Sequence, residues 1–92
     1  MSKPNKELQN AIHAIVKNQM RDGTPPETKQ TYDRLMAAGH SREETMRLIG
    51  CAVTTEIFDV LKENQNYDEQ RYIAALEALP KLPQHDETGY AG

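Results

Sequence analysis

From Leu8 onward the apolar residues recur at three- and four-residue steps, through Ile12, Ile15, Val16 and Met20, while Lys6, Asn10, Lys17 and Arg21 fall largely elsewhere on the helical wheel. This spacing predicts an amphipathic helix over roughly residues 4 to 21. Pro4 is acceptable in its first turn, and Asp22-Gly23 supplies a left-handed stop that glycine adopts without a Cβ penalty. Thr24-Pro25-Pro26-Glu27 reads as the next start, with the Thr24 hydroxyl expected to accept the N3 amide, Glu27 to reciprocate, and Pro25 to sit at N1. The second helix carries only Tyr32, Leu35 and Met36 as large apolar residues and closes at Gly39.

Ser41 caps a third helix with Glu44 at N3. Along it Met46, Ile49, Val53, Ile57, Val60 and Leu61 form one continuous face, whereas Cys51 and Phe58, seven apart, lie on another flank. Asn64-Gln65-Asn66 ends this helix. Tyr67 then precedes an Asp68 cap with Tyr72 at N4, the arrangement in which two aromatics clasp as a hydrophobic staple. Tyr72, Ile73, Leu76 and Leu79 give the fourth helix, about 69 to 79, its inward face, and Pro80 stops it. The prediction is an all-α, compact four-helix domain over residues 1–79 with a central third helix and a flexible, disordered C-terminal tail over 80–92.

Composition narrows the function classes more than it names one. A chain of 92 residues is one domain, 37% apolar and 27% charged, and much of its surplus polarity lies after Leu79. The net charge of −3 argues mildly against a nucleic-acid or anionic-membrane partner. One cysteine, Cys51, gives no internal disulfide and fits a reducing, cytoplasmic setting. No stretch approaches the roughly 18 consecutive apolar residues of a spanning helix.

Candidate chemistry is sparse. Leu35 to Leu48 reads helix, glycine turn, helix, which resembles a DNA-binding or ubiquitin-associated-like pair, but Glu43 and Glu44 would meet phosphates at the start of the second helix. His13, His40 and His85 share no ligand spacing with one another or with Cys51, so no metal site and no cofactor is expected. The wheel sets His13 beside the apolar face, where a partly buried imidazole is the ordinary outcome. It sets Gln19 at the centre of the stripe, where a buried amide must find partners, either in the backbone of the Gly23-Thr24-Pro25-Pro26 turn or in a ligand. Glu56 flanks the main face of the third helix, Asp59 and Glu63 read as a solvated face, and no carboxylate pair has acid–base spacing. No helix start or local basic group activates Cys51 as a nucleophile. The chain is therefore not expected to be an enzyme.

Several runs of residues carry a resemblance: Ile12-His13-Ala14-Ile15-Val16 with Asn18-Gln19; Gly39, Ser41-Arg42 and Glu44; Ile49-Gly50, Glu56-Ile57, Asp59 and Leu61-Lys62; and Tyr67-Asp68-Glu69, Arg71-Tyr72 and Ala74-Ala75-Leu76. Together they look like a family of small uncharacterised bacterial all-helical proteins, a domain of unknown function, and span about residues 8 to 79. The resemblance implies a helical fold and no activity. Members of that family tend to carry Arg-His-Glu-x-x-His where this chain has Arg42-Glu43-Glu44-Thr45-Met46-Arg47, so any metal role of those histidines is lost here, and Glu43 with Arg47 is expected to form an i,i+4 ion pair.

Two functional expectations follow. The first is a non-enzymatic protein–protein interaction or regulatory module that uses a surface of helices 2 and 3, with Arg47, Cys51 and Phe58, to bind a protein partner or itself. The alternative is a small-ligand or metal-binding protein with His13, Gln19 and Glu56 forming a site between helices 1 and 3.

Overall fold

A computed structural model describes residues 6–63 and 66–82. In chain order these form α1 (Lys6–Asp22), α2 (Pro26–Ala37), α3 (Arg42–Glu63) and α4 (Glu69–Ala78), with no strand among the described residues. The fold is all-α. Pro4, Asn64-Gln65 and the part of the predicted tail from residue 83 onward lie outside the described residues.

The helix boundaries follow from backbone chemistry. Gly23 and Gly39 take left-handed φ values of 70° and 104°, and each ends a helix at a position where a Cβ would be strained. At α3 the amide of Glu44 donates to Ser41 Oγ at 3.0 Å, the expected cap. At α4 the amide of Arg71 donates to Asp68 Oδ1 at 3.2 Å, and the Tyr67 and Tyr72 rings lie 6.4 Å apart at a tilt of 53°, forming the staple. The start of α2 differs from expectation. Pro25 is the N-cap and Pro26 opens the helix, while the Thr24 hydroxyl turns back to the Asp22 carbonyl at 3.3 Å. The capping box therefore does not form. Glu27 stays in the first turn, where the helix dipole favours its charge, with Oε1 buried and no hydrogen-bond partner in the structure.

The core gathers Ile12 and Val16 of α1, Leu35 of α2, Met46, Leu48, Ile49, Ala52 and Val53 of α3, and Tyr72, Leu76 and Leu79 from α4 and its exit. Both α2 and α3 pack against each of the other three helices. What makes α3 central is its length of 22 residues and its share of the core. Along α1, Gly50 of α3 permits a close approach, since a Cβ there would lie 3.2 Å from Ile12 Cγ2. The narrow apolar stripe of α2 is completed by threonines: Thr28 and Thr31 are buried, and Thr45 of α3 sets its hydroxyl 3.5 Å from Met36 Sδ.

Two parts of the predicted stripes do not reach the core. Leu8 is exposed, and on α3 the apolar face is buried only as far as Glu56, beyond which Ile57 and Leu61 are exposed and Val60 is half-buried. The physical reason is the packing order: α1 and α4 both lie against α3 and make no helix pairing with each other, so the last turns of α3 run past the available cover. Leu48, absent from the predicted stripe, is buried because α3 has neighbours on more than one side. The predicted Glu43–Arg47 pair is replaced by Glu44–Arg47 at i,i+3, 3.0 Å apart.

The exit of α4 is held from a distance. Arg34 of α2 donates from Nη1 to the Leu79 carbonyl at 2.8 Å and from Nη2 to the Leu76 carbonyl at 3.0 Å, placing a cation at the C-terminal carbonyls of the helix. Arg34→Met keeps the aliphatic stem and removes these bonds together with a longer one to the Glu77 carbonyl. It is expected to lower the unfolding free energy by about 1 to 2 kcal/mol in urea denaturation. It should also increase hydrogen exchange of the amides in α4 before those of α1.

Candidate functional site

Because α1 and α4 both pack on α3 without pairing along their lengths, a cleft remains between them. It is a cavity of about 280 Å³. Ile15 and Gln19 come from α1, Val53, Glu56, Ile57, Val60 and Leu61 from α3, and Tyr67 and Tyr72 from the staple that opens α4. Most of its wall is hydrocarbon.

The polar groups at this cavity are organised in two sets. In the first, Gln19 Oε1 accepts from the Thr28 hydroxyl at 2.7 Å and from the Tyr72 hydroxyl at 2.8 Å. One amide oxygen thus joins α1, α2 and α4. The sequence expectation that the Gln19 side chain would bond the turn backbone is corrected: it is the backbone carbonyl of Gln19 that receives the amides of Gly23 and Thr24, at 2.8 and 3.1 Å. Burial lifts the Tyr72 hydroxyl pKa from 10.0 to about 12.

In the second set, Glu56 is only 5% exposed. Its carboxylate accepts from Arg71 Nε at 2.9 Å, from Arg71 Nη2 at 2.8 Å and from the Asp68 amide at 3.0 Å. A buried carboxylate is tolerable because a guanidinium fork and a backbone donor replace its water. The Glu56 hydrogen bond raises the Arg71 pKa above its usual value. Asp59, expected on a solvated face, lies 3.8 Å from Arg71 Nε with its side chain mostly covered. Glu56 thereby ties α3 to the residue that caps α4, and so fixes where the Tyr67 wall stands. Burial comes first in raising the Tyr67 pKa, followed by the charges of Glu69, Glu56 and Asp68.

Of the residues singled out from sequence, Gln19 and Glu56 are brought to the same cavity. His13 is not: it is exposed on α1, so the expected partly buried imidazole is corrected, because the covered face of α1 runs through Ile12 and Val16 with Ile15 and Met20 partly buried beside it. Among the described residues no three of His, Cys, Asp and Glu converge to hold a metal ion, and His85 lies outside them. Cys51 is half-buried, Arg47 is exposed and paired with Glu44, and Phe58 is 48% exposed. Sequence reasoning missed Thr28, Tyr67 and Arg71 as parts of the site. Thr28 carries no apolar signal, and the reach of Arg71 to Glu56 across 15 residues has no local signature.

Among the described residues no helix is long and apolar enough to cross a membrane. Neither protein-family models, nor curated proteins, nor solved structures give a match to this chain.

The folded protein holds the Tyr72 phenol proton more tightly than the unfolded chain does. Its contribution to stability is complete below pH 10 and is lost as pH rises through 12, a total of roughly 2 to 3 kcal/mol. Tyr72→Phe is expected to cost about 1 kcal/mol at neutral pH and to flatten the decline between pH 10 and 12 in urea denaturation. A parallel decline in both proteins would contradict the assignment.

Proposed function

We propose that the protein is a non-catalytic binding module that docks an amphipathic helix of a partner protein against the second half of α3, seating one large side chain in the cavity between α1 and α4. The observation that carries this reading is the continuity of apolar surface. The cavity walls run outward into Ile57, Leu61, Tyr67 and, round the helix, Phe58, which are 36%, 73%, 53% and 48% exposed. Monomeric proteins seldom leave such a group uncovered unless it meets another surface. The volume of about 280 Å³ lies at the lower edge of small-molecule sites and suits a single anchor residue. Helix-in-groove recognition uses this arrangement, one socket with apolar contacts at one-turn spacing beside it.

This reading keeps Phe58 from the sequence expectation and moves the centre of the surface away from Arg47 and Cys51, toward the cavity. A small-ligand reading is favoured by one observation, that Gln19 and Glu56 line the same cavity. Kinship with small bacterial helical proteins, proposed on the motifs around Ile12, Ser41, Ile49 and Tyr67, is compatible with either, and the lone half-buried Cys51 supports a cytoplasmic setting.

A photo-crosslinking residue at position 58 or 61 is expected to give the same protein adduct in cells, lost on Ile57→Glu and absent when the crosslinker replaces the exposed Lys29 of α2. Identical patterns from positions 29 and 58 would count against the reading. Light scattering of the purified chain decides whether the partner is a second copy, since a dimer dispersed by Phe58→Glu identifies one. Phe58→Glu itself should change stability by no more than about 0.5 kcal/mol, because the site is half in water.

A further inference from the structure

We infer that the anchor taken by this cavity is a phenol, a tyrosine carried by the partner helix; the inference rests on the binding reading above and names its ligand. The apolar walls, among them Ile15, Val53 and Val60, suit the faces of an aromatic ring. The two polar lining residues then decide what the tip of that ring must be.

Gln19 has its carbonyl oxygen taken by two hydroxyl donors, Thr28 and Tyr72. In that arrangement Nε2 is left as a donor, which bonds to no described residue. A carboxylate has about four acceptor positions. On Glu56 three are used, by Arg71 Nε, Arg71 Nη2 and the Asp68 amide. Two residues of the otherwise apolar lining thus carry one donor and one acceptor position that no described residue uses. A phenylalanine ring leaves both unmet. An indole serves only the acceptor, and a carboxylate would face the charge of Glu56. A phenolic hydroxyl accepts from Gln19 and donates to Glu56, and its ring fills the remaining volume.

The test is a titration of the full chain with p-cresol and with toluene, followed by amide and side-chain NMR. The expected result is that p-cresol binds about five- to tenfold more tightly than toluene, and that it alone shifts the Gln19 side-chain NH2 signals. Gln19→Leu should erase the preference while retaining toluene binding. Should that variant fail to fold, the Gln19 signals of the wild type carry the test. Ile57→Trp, which fills the cavity from its exposed wall, should weaken both probes. Equal affinities would overturn the phenol assignment and leave the apolar socket standing, whereas no response to either probe would overturn both. Preferential p-cresol binding without partner adducts through positions 58 and 61 would overturn the tyrosine in favour of a free phenolic ligand.

Discussion

Three helices meet at one amide oxygen. The Thr28 and Tyr72 hydroxyls both donate to Gln19 Oε1, at 2.7 and 2.8 Å, so α2 and α4 are bonded to α1 through a single side chain. Each such bond adds only about 0.5 to 1.5 kcal/mol net, but leaving any of the three groups buried and unpaired would cost more. The node therefore specifies arrangement more than it adds stability. Helices α1 and α4 have no packing surface of their own, and this contact sets how far apart they stand. The cavity is the space so preserved.

A second polar set holds the other side of that space. The Glu56 carboxylate binds Arg71 and the Asp68 amide, which ties the capped start of α4 to the middle of α3. With Arg34 bonded to the carbonyls at the far end of α4, the ten-residue helix is fixed at both termini. A helix this short has little stability of its own, so its position is a property of these tethers and of Leu76 and Leu79 in the core. The Tyr67 wall of the cavity moves with it. Site and scaffold are thus the same interactions, and a binding event there would be felt by α1, α3 and α4 together.

The last turns of α3 illustrate how pattern and packing part company. Met46, Ile49, Val53, Ile57 and Leu61 share one face of the wheel, yet the first three are buried and the last two are not. Burial depends on whether another element lies opposite, and the wheel contains no information about that. Apolar residues left over in this way, at the mouth of a cavity, are the surface on which the proposed binding role rests.

Sequence alone determined the number of helices and most of their ends, because caps at Ser41 and Asp68, the staple of Tyr67 on Tyr72 and the left-handed glycines at 23 and 39 act within a few residues of themselves. It failed at Thr24, where two successive prolines moved the helix start by one position and left the hydroxyl facing Asp22. It marked Gln19 and Glu56 as polar residues set against apolar stripes, and both line the cavity. Their partners were decided by tertiary structure: Tyr72 is 53 positions from Gln19, and Arg71 is 15 from Glu56. Local backbone chemistry is written in short windows of sequence. The satisfaction of a buried polar group depends on which distant helix folding brings against it.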